Sequence, residues 1–146
     1  MHARPLASVA VGALLLVGLT GCEKPTPGVT LSSGTRSVHI ESTTYCREGQ
    51  SAAAQNCVEH LTRVGQIRVK AGNPVSVDVD KSIAENGWIL VLPAANQRSE
   101  VQDQHHFSYT PDFSGSPFVD LEVRSLDHVS DKALTTGIWK FRLVQE

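Results

Sequence analysis

Apolar and polar residues alternate along most of the chain after residue 28, and this alternation predicts β-strands. Side chains on a strand point to opposite faces in turn, so every second residue of a half-buried strand is apolar. Val75, Val77 and Val79 form one such face, while Ser76 and Asp78 form the opposite one. The same pattern recurs in four further segments, whose apolar members are Ile67 and Val69; Phe107 and Tyr109; Val119, Leu121 and Val123; and Trp139, Phe141 and Leu143. Short half-buried strands are therefore the main element that we expect.

Turn signals lie between these segments. Ser33-Gly34 is a tight-turn dipeptide between two apolar stretches, which predicts a β-hairpin. The spacing of Ser82 and Glu85 matches a capping box, and Asn86-Gly87 follows as a helix stop signal. These residues predict a single helical turn between two strands.

The number and spacing of the strands predict an all-β fold. Eight or nine short strands within about 115 residues are typical of a β-sandwich. The continuously apolar run Trp88–Pro93 is expected of a strand covered on both faces, and a tryptophan on such a strand favours an immunoglobulin-like arrangement. We therefore predict an immunoglobulin-like β-sandwich of about 7–9 short strands as a single domain over residues 29–146, with a small closed β-barrel as the alternative.

The first 22 residues resemble the export signal of a bacterial lipoprotein. Arg4 precedes an apolar run of 14 positions from Leu6 to Leu19, which is short of the roughly 20 residues of a spanning helix. The run ends in Leu19-Thr20-Gly21-Cys22, which resembles a lipobox, where the cysteine thiol receives diacylglycerol. The pattern predicts a signal peptide over residues 1–21 and a lipid on Cys22.

A lipid on Cys22 places the domain at the extracytoplasmic face of the cell membrane. Acyl chains on one residue anchor a protein without spanning the bilayer. Residues 22–28 contain Pro25 and Pro27, so we expect an extended tether. At roughly 3.1 Å per residue in polyproline geometry, it would lift the domain about 20 Å from the bilayer.

The two other cysteines predict a disulfide. With Cys22 modified by lipid, Cys46 and Cys57 remain as an even pair in an oxidising compartment. Their spacing does not match the Cys-x-x-Cys pattern of redox sites. A structural disulfide is the favoured interpretation, with a metal site or a redox role as the alternatives.

Composition and net charge indicate a globular protein and argue against a nucleic-acid partner. Hydrophobic residues make up 40% and charged residues 19% of the chain, which is typical of a globular protein. The formal net charge is −2, whereas nucleic-acid binders usually carry a basic patch. We expect no nucleic-acid partner.

The candidate catalytic and metal-binding groups are sparse. Ser125, Asp127 and His128 contain the residue types of a hydrolase triad, but neighbours in sequence cannot usually converge as a triad does. Asp127 is better interpreted as stabilising a turn after the strand. His105 and His106 would point to opposite faces of a strand and could not chelate one ion. The prediction is a non-enzyme with no catalytic residue, no metal site and no cofactor; a metal-handling protein or a hydrolase is the alternative.

The longest irregular stretch, residues 94–104, is the candidate contact surface. Long loops without regular structure are often functional, and a solvated connector between strands is the alternative interpretation. Asn96, Gln97, Arg98 and Glu100 offer amide and charged side chains there. Arg98 is the strongest anchor, because its planar guanidinium can hold a carboxylate or a phosphate through two hydrogen bonds.

Several short motifs together resemble a known family. They are the lipobox ending at Cys22, Tyr45-Cys46 with Cys57, the segment from Val69 to Val75, Ile83-Ala84 before Trp88, and Gly137-Ile138-Trp139. The chain resembles small actinobacterial lipoproteins built on domain of unknown function 2771. This resemblance implies a setting in the actinobacterial cell envelope and supplies no catalytic residue. We predict a membrane-anchored, non-catalytic binding or structural module whose partner is an envelope protein or a glycan.

Overall fold

A computed structural model of the chain describes residues 25–46, 50–53 and 57–146. The predicted signal peptide and Cys22 lie outside the described residues. The described part is all-β except for one short helix and one 3-10 turn at Pro93–Ala95. The elements in chain order are β1 (Gly28–Ser33), β2 (Arg36–Glu41), β3 (Thr44–Tyr45), β4 (Val58–Glu59), β5 (Val64–Val69), β6 (Val75–Val79), α1 (Lys81–Asn86), β7 (Trp88–Leu92), β8 (Gln97–Arg98), β9 (His106–Tyr109), β10 (Phe118–Leu126) and β11 (Thr135–Gln145).

The strands form two sheets. The smaller sheet is antiparallel and has the order β2-β1-β6-β9. The larger sheet has the order β4-β3-β11-β10-β7-β8, and β5 joins it by parallel pairing with the second half of β11. The described strands do not close into a barrel, so the predicted β-sandwich is confirmed. Eight of these strands have four or more residues, which agrees with the predicted 7–9.

The core lies between the two sheets and consists of the predicted apolar faces. The fully buried side chains include both tryptophans, Trp88 and Trp139. Alternation decides which residues enter the core, because β6 and β11 bury every second residue along most of their length. Burial removes the apolar surface of these side chains from water. Each Å² of buried apolar surface stabilises the folded state by about 25 cal/mol, and this is the main stabilising contribution. The other large side chains with almost no exposure are Phe141, Leu31, Ile83, Leu121, Leu143, Val29, Val69, Val75, Val77 and Val123.

The helical turn forms where the sequence predicts it, but its cap differs. Asp80, not Ser82, occupies the N-cap position of α1, and no side chain caps the helix. The Asp80 carboxylate instead accepts a hydrogen bond of 2.6 Å from the backbone N–H of Gly28 on β1. Gly87 ends the helix with a positive φ of 86°, which favours glycine because it has no Cβ. The capping-box prediction is therefore wrong, because the helix begins at Lys81 and Ser82 lies inside its first turn rather than at the N-cap position.

The stretch 94–104 is not an irregular loop. After the 3-10 turn, Asn96 adopts a left-handed conformation at φ 49°, and β8 returns along β7 as a short hairpin. The backbone N–H of Ser99 then donates to Leu90 O at 2.8 Å, and Trp88 pairs with Gln102 through two further bonds. The segment is thus an irregular edge strand of the larger sheet. Main-chain groups of Gln97, Arg98, Ser99 and Gln102 pair with β7, although the side chains of the segment show no strand pattern.

The last residues of the predicted tether are attached to the fold. The indole N–H of Trp139 donates to Pro27 O at 3.0 Å, and Thr26 Oγ1 accepts a bond of 2.9 Å from the Ser42 hydroxyl. Strand β1 begins at Gly28. Residues 26–28 therefore do not act as a free spacer. Among the described residues, no helix is long and apolar enough to cross a membrane.

Candidate functional site

A groove of about 430 Å³ lies on the outer face of the larger sheet, between β8 and the connection 127–134 that joins β10 to β11. We call it the Arg98 groove. Its volume is within the range of small-molecule sites. Buried apolar side chains and exposed polar ones both line it. The lining residues are Ile89, Val91, Pro93, Asn96, Gln97, Arg98, Val101, Arg124, Leu126, Ser130, Asp131, Ala133 and Thr135.

Sheet register places Arg98 in this groove. Arg98 pairs with Val91 on β7, and Val91 pairs with Glu122 on β10. Residues paired across antiparallel strands share a face of the sheet. Leu90 and Val123, which neighbour Val91 and Glu122 in sequence, point into the core. Arg98 therefore lies on the outer face, which it shares with Val91 of β7 and Glu122 of β10.

Two arginines of the groove have different surroundings. Arg124 donates from Nε and Nη2 to Glu122 Oε2 at 2.9 and 2.6 Å, and Lys140 Nζ lies 3.9 Å from the other oxygen of the same carboxylate. Among the residues that the structure describes, Arg98 has neither an ion pair nor a side-chain hydrogen bond, and its side chain is exposed. The guanidinium of Arg98 is thus available to an external anion, while that of Arg124 is engaged.

The connection 127–134 forms one wall of the groove, and hydrogen bonds of Asp127 stabilise its conformation. Asp127 Oδ1 accepts hydrogen bonds from the Leu134 N–H at 2.9 Å and from His128 Nδ1 at 2.7 Å. The Asp127 N–H donates to Leu134 O at 3.0 Å. The backbone bond from Leu134 is the main reason that the pKa of Asp127 lies below its usual value, because it favours the charged carboxylate. The predicted role of Asp127 in a turn is confirmed.

The structure brings three of the four candidate contact residues to the groove. Asn96, Gln97 and Arg98 line it, but Glu100 is not among the lining residues. Glu100 contributes its backbone oxygen, which accepts bonds from the Ser99 hydroxyl and from Gln102 Nε2.

Sequence reasoning missed the residues on the other side of the groove. Arg124 is recognisable from the alternation of β10 as facing outward. Ser130, Asp131 and Thr135 carry no comparable signal, since only the sheet order places them opposite β8.

The other candidate groups are separated. Ser125 is buried, and its hydroxyl shares a hydrogen bond of 2.9 Å with Thr136 Oγ1, so it does not contact His128. His106 Nδ1 lies 2.9 Å from Asp78 Oδ1, whereas His105 Nδ1 lies 3.3 Å from Val79 O. Within the described ranges, no three metal-ligating side chains come together.

Cys46 and Cys57 form the predicted disulfide, with an S–S distance of 2.03 Å and a Cα–Cα distance of 4.3 Å. The bridge joins the end of β3 to the start of β4, so it closes a hairpin at the edge of the larger sheet. Strands of two residues provide few hydrogen bonds, and the covalent bond therefore compensates for a short ladder.

Comparisons with known proteins identify the family. No curated protein and no solved structure matches the chain. The family model described as "Protein of unknown function (DUF2771)" matches residues 22–137, which include both cysteines of the disulfide and all thirteen residues of the Arg98 groove. The chain therefore belongs to this family of proteins of unknown function.

Proposed function

We propose that this protein is a lipid-anchored, extracytoplasmic binding module of the cell envelope, without catalytic activity, that contacts its partner through the Arg98 groove. The observation that carries the proposal is the exposed Arg98 guanidinium, which has no ion-pair partner among the described residues and lies at a groove of about 430 Å³. An unpaired guanidinium can form two parallel hydrogen bonds with an external carboxylate or phosphate without first breaking an internal ion pair.

The anchor is supported by the sequence. Arg4, the apolar run to Leu19 and the lipobox ending at Cys22 are arranged as in a lipoprotein signal, and the family match begins at Cys22. The disulfide between Cys46 and Cys57 is consistent with an oxidising compartment outside the cytoplasm. Two or more acyl chains on one residue would make the attachment stable, whereas one chain binds only marginally.

The groove offers a specific chemistry to a partner. Arg98 can hold a carboxylate or phosphate through two parallel hydrogen bonds, and the amides of Asn96 and Gln97 can donate and accept beside it. Ile89 and Leu126 are buried residues that line the groove and contribute apolar surface to it. A glycan with acidic substituents or an acidic segment of an envelope protein fits this combination.

The anchor is tested by phase separation of a detergent lysate. The wild-type protein is expected in the detergent-rich phase with a mass that includes the lipid, while the Cys22→Ala variant is expected in the aqueous phase or as unprocessed precursor. Equal partitioning of the two proteins, with masses that differ only by the substitution, would refute the anchor.

The groove is tested by crosslinking in the native envelope. Arg98→Ala is expected to lose a crosslinked species that the wild-type protein forms. Arg68→Ala is the matched control, because Arg68 is also exposed and lies on β5 of the same sheet, outside the groove. An unchanged crosslinking profile for a folded, lipidated Arg98→Ala variant would remove the groove from the proposal. Identification of the crosslinked species as protein or glycan would then name the partner class.

A further inference from the structure

Three exposed apolar side chains lie close together in sequence at the turn between β4 and β5. Val58 is 46% exposed, Leu61 64% and Val64 48%. Scattered exposed apolar residues are ordinary on protein surfaces. These three instead fall within seven positions, at the edge of the larger sheet. We call this feature the Leu61 corner.

The Leu61 corner is joined by hydrogen bonds to the point where the tether meets the fold. The N–H and the hydroxyl of Ser42 both donate to Thr26 Oγ1, at 3.2 and 2.9 Å. On the other side, Arg63 Nη1 donates to Ser42 O at 3.1 Å. The next residue, Thr43, accepts a bond from the His60 N–H at 2.6 Å and donates its hydroxyl to Arg63 O at 2.8 Å. Ser42 and Thr43 thus connect Thr26 directly to the turn that carries Leu61.

The length of the chain before Thr26 limits its distance from the lipid. Four residue steps separate Cys22 from Thr26, and a fully extended chain spans at most about 14 Å over that length. Since Thr26 is attached to Ser42, the domain cannot move away from the bilayer by lengthening the tether. The part of the domain around Thr26 must therefore remain near the lipid headgroups.

We propose that the Leu61 corner inserts its apolar side chains into the interfacial layer of the membrane and thereby holds the domain in one orientation. This inference rests on the proposed lipid at Cys22. The partner of the corner is a lipid surface. Only four residue steps separate the lipid on Cys22 from Thr26, so the membrane lies near the corner whether or not another partner is present. Insertion removes Leu61, the most exposed of the three side chains, from water.

Among the residues that the structure describes, the Leu61 corner carries no excess of positive charge. Arg63, the cation of the corner, has Nη1 at 3.2 Å from Glu41 Oε2, and Glu59 adds an exposed carboxylate. Anionic headgroups therefore find no excess positive charge here. The contact should form equally on zwitterionic phosphatidylcholine and on mixtures with anionic phosphatidylglycerol.

The test places an environment-sensitive fluorophore on the lipidated full-length protein in vesicles. Leu61→Cys carries the probe at the corner, and Leu134→Cys is the matched control, since Leu134 is a 56% exposed leucine on the connection 127–134. Cys46 and Cys57 are bonded to each other and do not react without a reductant. Quencher-bearing lipids are then added to phosphatidylcholine vesicles, with and without phosphatidylglycerol.

We expect the probe at position 61 to emit at shorter wavelength and to lose emission to the lipid quencher, in both vesicle types, while the probe at position 134 does neither. Equal behaviour of the two probes in protein that floats with the vesicles would overturn the inference. Shielding of position 61 that depends on protein density, without quenching by lipid, would also overturn it and indicate a second copy of the chain. Labelling of the parent chain at Cys22, or its failure to float, would instead refute the lipid anchor itself.

Discussion

Replacing Gly137 by alanine tests the packing around the tryptophan that holds the tether. Gly137 lies on β11 and pairs with Ser125 on one side and Tyr45 on the other. An added Cβ would lie 2.7 Å from Ser125 Oγ and 2.7 Å from Trp139 Cη2. These distances are well below van der Waals contact, so a neighbouring group must move.

Neither neighbour can move freely. Trp139 is fully buried, packs edge-on against Tyr45 with ring centroids 6.4 Å apart, and donates its indole N–H to Pro27 O. Ser125 shares its hydroxyl hydrogen bond with Thr136. Overpacking of a well-packed core typically costs about 1–3 kcal/mol. The lower entropy of the unfolded chain returns about 0.4–1 kcal/mol on changing glycine to alanine. We expect Gly137→Ala to lower the free energy of unfolding by about 1–2 kcal/mol.

The assay is urea unfolding followed by the fluorescence of Trp88 and Trp139, which are both buried. With a slope of about 2 kcal/mol per M, the midpoint should fall by about 0.5–1 M. Gly115→Ala is the matched control, because a Cβ at Gly115 meets nothing within 4 Å. Its midpoint should stay unchanged or rise slightly. A Gly137→Ala variant as stable as the wild-type protein would refute the reasoning, since it would show that the Trp139 ring can shift without loss.

Two further predictions concern the disulfide and the connection 127–134. Replacing both Cys46 and Cys57 by alanine should lower the free energy of unfolding by about 3 kcal/mol, as expected for a closed loop of about a dozen residues; an unchanged urea midpoint would contradict this role. The pKa of Asp127 is lower in the folded protein than in the unfolded chain. The charged carboxylate therefore stabilises the fold fully above the unfolded pKa, and this stabilisation is lost as the pH falls through the folded pKa. Asp127→Asn should therefore lose less stability between pH 5 and pH 3 than the wild-type protein does, measured as the difference in urea midpoint, and an equal loss would count against the bond from Leu134.

Local patterns in the sequence were sufficient to predict which face of a strand is buried. The alternation of Val75, Val77 and Val79 and of Trp139, Phe141 and Leu143 predicted their burial correctly. A strand has a side-chain period of two whatever its neighbours are, so the buried face is encoded in each segment separately. The even pair of cysteines likewise predicted the disulfide, because the pairing needed no knowledge of the sheet order.

The same patterns did not predict the parts of the structure that depend on backbone hydrogen bonds or on contacts between residues distant in sequence. Residues 97–102 pair with β7 through main-chain groups, which every residue type carries, so their amide and charged side chains gave no strand signal. The acidic group of Asp80 bonds to Gly28, which is 52 positions away, and the spacing of a capping box cannot report this.

The sequence by itself therefore determined the all-β class, the composition of the core and the disulfide, since each depends on residue type and local period. Only the tertiary structure determined which residues come together at the candidate surfaces. The order β10-β7-β8 places Arg98 and Arg124 in the same groove, although the two residues are far apart in the chain. The bond from Trp139 to Pro27 spans 112 positions and fastens Pro27 to β11 of the larger sheet. Such contacts arise from which strands become neighbours, and this is a property of the whole packed chain rather than of any one segment.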